Sequence, residues 1–523
     1  MRRSLIVLIA AALAGAAAGQ DLHPLGGLVH DPRPPELRQT IPVPPLTATT
    51  LPSKVDLSAG LPPVGMQTGN SCTGWSVGYY FKTQQEFAEH GWDPADPGHQ
   101  FSPSFIYNLL DSGVDWGVDL FDALELMWSH GCATVSQMPY DGGYTVWPSA
   151  MAFDSALLYR CERSGYPWFS FGNDGGIAYA KQLLSENKCV VFNIGVFYNF
   201  DHITDYDTVY CAADSSGNNR GGHNLCIVGY DDTKATRDGT GAFRCVNSWG
   251  TGWGNKGYWW LSYQMVRSHP RMVYPWAGYV PDRAAYQPTL KARVRIGHAR
   301  RGRIELVAGI GDPASPLWSQ TFFVVGNGQG EYWSTGGDLP FPATDLVLDL
   351  SDGADQLDSS AANTVFVGCI DTYGDGISGS IGQCSAEYLP WGASAVSADP
   401  PVAIPDYNTY AYCEMTLTKP AGVAGPAGAG SRPAPRPIAL RVSPNPARER
   451  CRITLDAPGR GAVALSVYDT AGRLVRRFPG RAADQPLVWD TRDDRGARVP
   501  SGVYFARARL GDATAAGRLL VVR

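Results

Sequence analysis

Residues Phe243 to Tyr263 read FRCVNSWGTGWGNKGYWWLSY. An apolar run opens the stretch as a strand, presents Asn247 at its end, and gives way to tryptophans spaced among glycines. Taken alone, the block is aromatic core threaded with tight turns, and Asn247 is a turn residue. An asparagine at a strand end has one further use. Its side-chain oxygen accepts a ring N–H from an imidazole and holds one tautomer. The indole of Trp249 can then shield that bond from water.

Upstream, RGGHNLCIVGYDD (Arg220–Asp232) sets His223 behind two glycines at the start of a strand. Glycines let the backbone turn sharply and let other groups approach, so His223 can face a cleft; alone, it caps a strand. Further back, MQTGNSCTGWSVGYYFKT (Met66–Thr83) carries Cys72 at the start of an apolar run that reads as a helix ending near His90–Gly91. A helix start favours a thiolate over a thiol. A lone cysteine is otherwise half of a disulfide or a core thiol, and acyl transfer needs a proton acceptor and an oxyanion site besides.

Together, in this order, the three blocks resemble papain-like cysteine peptidases (family C1). The carriers are Gln67, the Ser71–Cys72 pair, GGHNLCIVGYDD and NSWGTGWGNKGYW, with FSPSFIYNLL (Phe101–Leu110) and FDALELMWSHGCATVSQMPYD (Phe121–Asp141) in support. The resemblance covers about Leu51 to Tyr263 and implies an α+β fold of two lobes, one helical and one like a β-barrel. It implies Cys72 as nucleophile, His223 as base, Asn247 as its orienter and Gln67 with the Cys72 N–H as oxyanion donors. Polypeptide substrates follow, with no metal or cofactor. Of the paired glycines that line the family's substrate cleft, Gly117 is left, and it stands with Trp249 as a substrate-binding residue. Three departures are visible. The Gln67–Cys72 span is one residue shorter than the family uses, Thr73 stands where an aromatic is usual, and the long helical propeptide is missing.

The 523 residues suggest about three domains. Arg2 and Arg3, then LIVLIAAALAGAAA, make residues 1–19 a signal peptide cut near Gly19, which predicts a secreted or surface protein. Residues 20–50 are a proline-rich leader without a core of its own, and 51–282 hold the peptidase domain. Short alternating strands over 286–418 predict an accessory β-sandwich, residues 419–437 a Pro/Gly/Ala linker, and 438–523 a second small all-β unit. The last unit resembles bacterial C-terminal Ig-like domains and type 9 secretion sorting domains, through SPNPARERCRITL and SGVYFARARL. That implies attachment to the cell surface or engagement of secretion machinery.

A net charge of −6 argues against a general nucleic-acid binder, and no later run is apolar enough to span a membrane. The odd count of 11 cysteines leaves one thiol over if the rest pair, and Cys72 is the candidate. Cys369 and Cys384 are a disulfide candidate. Asp345, Asp349, Asp352 and DTYGDG (Asp371–Gly376) are either a Ca²⁺ site or acidic turns. Two competing functions stand beside the peptidase. A non-catalytic papain-like adhesin would keep the fold without the chemistry. A transglutaminase-like acyl transferase would put Asp in the third role.

Overall fold

A computed structural model describes residues 22–28, 43–48, 50–111, 113–141, 143–162, 168–203, 209–214, 217–268, 273–322, 339–398, 400–420, 439–443, 447, 450–456, 462–469, 474–482, 487–510 and 513–521. The expected signal peptide (1–19), most of the leader and nearly all of the linker (419–437) lie outside these residues.

The helical lobe begins at Cys72. Its turns run through Gly74–Lys82 in the wide π form and continue into Thr83–His90. Gly91, at φ 65°, ends the run in the left-handed region, as a C-terminal glycine does. Pro103–Leu110 is capped by Ser102, whose hydroxyl accepts the Phe105 N–H, and Leu120–Ser129 by Asp119, which accepts the Phe121 N–H. Each cap satisfies a donor that a helix start leaves open. Val77, Phe81, Phe105, Leu109, Leu124 and Met127 form the buried centre of this lobe.

The second lobe is an eight-stranded sheet. Along one path its strands are Trp168–Ser170, Val273–Gly278, Val190–Phe197, Asn219–Thr236, Gly239–Val246, Tyr258–Ser262 and Val209–Tyr210; Lys54–Asp56 pairs off it with Asn219–Thr236. Antiparallel register sets Ile194 opposite His223 and Cys226 opposite Val246. His223 and Asn247 therefore lie near the same end of neighbouring strands.

Residues Leu290–Leu417 build two antiparallel sheets. One is led by Leu290–Gly297 and Gly379–Tyr388, the other by Ile304–Asp312, Asn363–Asp371 and Tyr410–Leu417. Period-two burial of Leu290, Ala292, Val294 and Ile296 turns one face of the first sheet inward. The expected division near residue 282 does not mark a break in packing. Val43–Lys419 form one compact unit, and helical-lobe residues such as Phe153 share a continuous apolar cluster with Val347 and Phe322. A fully buried ion pair joins the two parts. The Arg160 guanidinium meets Asp349 at 2.6 Å and Asp352 at 3.2 Å, while its Nε donates to the Trp128 carbonyl. The second unit includes 439–521, where a three-stranded and a four-stranded antiparallel sheet enclose Ile453, Val467, Trp489 and Leu519.

Two alternatives left open for the middle region can be compared with its side chains. The acidic turns have partners of their own: Asp345 pairs with Arg295, Asp352 with Arg283 and Asp375 with Arg300, and Asp371 contacts the His298 ring. That arrangement fits acidic turns rather than a calcium cage, which would keep its oxygens free. Cys369 and Cys384 are free thiols, and Cys384 hydrogen-bonds instead with Cys413 of the facing sheet. Cys369 and Cys384 lie on strands of different sheets, so the short loop expected between them does not form.

Removing one partner of a buried ion pair leaves the other charge uncompensated. Arg160→Ala is expected to cost about 3–5 kcal/mol of stability, and a double Arg160→Met, Asp349→Leu variant far less. Urea unfolding of the three proteins checks this.

Candidate active site

Cys72, His223 and Asn247 come together between the lobes, and each is fully buried. Asn247 Oδ1 lies 2.8 Å from His223 Nε2 and also accepts the Ser248 backbone N–H at 2.8 Å. That second bond fixes which end of the amide is oxygen. Because an amide oxygen only accepts, His223 Nε2 carries the proton and Nδ1 holds a free lone pair in the neutral ring. Nδ1 is buried and makes no hydrogen bond. The Cys72 thiol accepts from the N–H of Asn224, the residue after His223, at 3.4 Å. Trp249 stacks on the His223 ring with centroids 4.8 Å apart, 25° from parallel.

Gln67 is buried beside this group. Its N–H donates to the Ser248 carbonyl at 2.7 Å, and its Oε1 accepts from the Ser248 hydroxyl at 2.6 Å. The side-chain NH₂ is thereby aimed away from Ser248, and it reaches the carbonyl oxygens of Pro24 at 3.2 Å and Leu25 at 3.1 Å. A shortened Gln67–Cys72 span thus still delivers an amide donor to carbonyls lying in the cleft. Gly117, at φ 98°, stands at the opposite wall, where a Cβ would overlap the Gly26 carbonyl.

Sequence reading noted Thr73 only as a departure from the family and passed over Asn224 and Asn193, and all three shape the site. Thr73 donates its hydroxyl to the Val118 carbonyl at 2.9 Å and accepts from Asn224 Nδ2 at 2.7 Å. Asn193 in turn donates to Asn224 Oδ1 at 2.6 Å. The polar pair Thr73–Asn224 beside Cys72 and His223 was the available signal; Asn193 sits in an apolar strand and offered none.

Electrostatics differ from the expectation drawn from the helix start. Burial pushes the Cys72 thiol up to about 12, against smaller lowering by the Asn224 N–H and Thr73. Burial also drives His223 down to about 4, against the raising effect of Asn247. Desolvation outweighs the helix end here, so burial favours the neutral form of both groups.

Residues 112–272 match the sequence profile of the papain family cysteine proteases. They form a papain family cysteine protease domain. An uncharacterized peptidase C1-like protein of Acanthamoeba polyphaga mimivirus is 25% identical over 223 residues, which cover 40% of this chain and 68% of that one. Among solved structures, xylellain, a cysteine protease from Xylella fastidiosa, is 18% identical with a TM-score of 0.39, over 51% of this chain and 99% of its own. A procathepsin B from Trypanosoma congolense is 17% identical with a TM-score of 0.36, over 50% and 86%. The profile match begins after Gln67 and Cys72 and does not include them.

Because His223 is held below its ordinary value of 6.5, its neutral form is favoured by folding. Its contribution to stability is complete above pH 6.5 and is lost as pH falls through about 4. The loss is on the order of 3 kcal/mol at about 1.4 kcal/mol per pH unit. Thermal unfolding followed from pH 7 to 4 should fall less steeply in His223→Gln than in the wild type.

Proposed function

We propose that this chain is a secreted or surface-attached cysteine endopeptidase that works through Cys72, His223 and Asn247. The observation that carries this reading is the tautomer lock: Asn247 Oδ1, pinned by Ser248, takes the Nε2 proton and leaves Nδ1 of His223 as a bare base in the cleft that holds Cys72.

The chemistry follows from these atoms. His223 Nδ1 takes the thiol proton as Cys72 Sγ attacks the carbonyl carbon of a peptide bond. The oxygen of the tetrahedral intermediate becomes negative, and Gln67 Nε2 with the Cys72 N–H stabilises it. Collapse breaks the C–N bond, and His223 passes its proton to the leaving amine. Water then adds to the thioester with His223 again as base, releasing the acid and the thiol. Asn247 keeps the ring in its working tautomer throughout, and Trp249 keeps water from that bond. Support for a peptide main chain as ligand comes from the cleft itself, where Gln67 and Trp249 donate to backbone carbonyls. An adhesin without chemistry has no use for a locked base beside a thiol. An acyl transferase of the transglutaminase type would use a carboxylate where Asn247 stands.

Export rests on the basic-apolar start of the chain. Surface attachment rests on the likeness of the C-terminal strands to sorting domains. Among the described residues no helix is long and apolar enough to cross a membrane.

Hydrolysis of a quenched fluorescent peptide tests the assignment. Cys72→Ala is expected to abolish cleavage and epoxide labelling, and Gln67→Ala to lower kcat about 10²–10³-fold, as loss of one oxyanion donor does. Cleavage that persists in Cys72→Ala would sink the assignment.

A further inference from the structure

A second recess opens where the helical lobe meets the sandwich. Glu125 and Trp128 stand three residues apart on the helix Leu120–Ser129, both half-buried on its outer face. Trp318 and Gln320 share one face of the strand Ser315–Phe322. Along that face period two takes Phe322 into the core, buries Gln320 and leaves Trp318 half-buried. With Asp352, these side chains line a cavity of about 470 Å³. Trp128 and Asp352 also line a neighbouring cavity of about 700 Å³, which runs on to Arg283, Tyr286 and Glu162. The shared walls make the two a single groove, of the size that ligand pockets have. Neither part is lined by Cys72, His223 or Asn247.

The groove is built on fixed parts. Arg283 holds the two oxygens of Asp352 at 2.8 and 3.0 Å, and Arg160 adds a third bond at 3.2 Å. The Tyr286 hydroxyl donates to Asp349 at 2.6 Å, and its ring packs against the Arg283 guanidinium at 4.9 Å. Trp318 is seated on the backbone of Gly353, where a Cβ would overlap the indole. One group in the wall is left incomplete. Gln320 is 8% exposed, and its Nε2 is buried without a hydrogen-bond partner. An unpaired buried amide destabilises a fold, whereas an apolar side chain of the same shape would not. At the wall of a cavity, such an amide is a donor kept for a ligand.

The chemistry of the wall selects the ligand. The faces of Trp128 and Trp318 are electron-rich and apolar, and they attract weakly positive C–H bonds. Around them stand donors, the Gln320 amide and the Ser319 and Thr321 hydroxyls, and the Glu125 carboxylate as acceptor. A pyranose ring with equatorial hydroxyls matches this pattern. It shows C–H bonds on its faces and, at its edge, hydroxyls that both donate and accept. Glu125 and Glu162 put negative charge into the groove and disfavour acidic sugars. We infer that the groove binds a β-linked chain of neutral or amino hexoses. The sandwich and the helical lobe then form one glycan-binding surface, which anchors the chain to a polysaccharide while the cleft at Cys72 stays open to other substrates. This site is independent of the peptidase reading.

The test titrates the full chain by calorimetry with cellohexaose, chitohexaose, a hexamer of galacturonic acid and hexa-arginine. Wild type is compared with Gln320→Leu, Trp128→Ala and Cys72→Ala. At least one of the two β-linked hexamers is expected to bind saturably, and the acidic hexamer not to bind. Trp128→Ala and Gln320→Leu should each weaken binding about ten-fold, as loss of one well-made contact does, and Cys72→Ala should leave it unchanged. Gln320→Leu carries the test, because leucine fills the same space without an unpaired amide. Its Tm should be equal to or above the wild type while its sugar affinity falls, a combination that a merely structural glutamine would not give. Saturable binding by neither β-linked hexamer would overturn the proposal, as would wild-type affinity in Gln320→Leu. Binding of hexa-arginine alone would also overturn it and make the groove a site for basic peptides.

Discussion

The hydrogen bond between His223 and Asn247 is the constraint around which the site is assembled. It requires two residues from adjacent strands to meet at 2.8 Å with the amide oxygen, not the nitrogen, toward the ring. The sheet supplies the first condition through the register that sets Cys226 opposite Val246. Ser248 supplies the second through its N–H and ties the same loop to Gln67 through its hydroxyl. One short loop after a strand thus orients the base, carries its aromatic cover and positions the amide donor. The helical lobe has the simpler task of presenting Cys72 at the first turn of a buried helix.

Burial explains why the site is quiet in this state. A thiol at a helix start beside an imidazole is expected to ionise readily, yet desolvation holds Cys72 high and His223 low. An ion pair gains from being uncovered to water or to a polar substrate, so the same interactions that exclude solvent also hold the pair neutral.

What was legible in the sequence followed from local signals. Asn247, Trp249 and the glycines after them form a dense block just past the strand Gly239–Val246, as their sequence suggested, whereas His223, read as a strand start behind two glycines, lies inside the strand Asn219–Thr236. The helix from Cys72 to Gly91 was visible in its apolar spacing and its glycine stop. The leader misled, because LHPLGGL has no periodicity and its partners Gln67, Asn193, Arg220 and Trp249 are scattered along the chain. Proline and glycine there signalled a linker, whereas the glycines are small because the cleft is narrow. The domain boundary near residue 282 was equally hidden. Strand patterns show where sheets begin but not that Phe153 and Arg160 of one region complete the core and charge balance of the next.

The protonation of His223 is the most direct measure of this account. Nitrogen-15 NMR of histidine-labelled protein at pH 7 should show the His223 ring neutral, with Nε2 protonated, Nδ1 bare, and no titration until pH approaches about 4. A ring protonated on Nδ1 alone would contradict it, since the lone pair would then face Asn247 and no base would be left for Cys72.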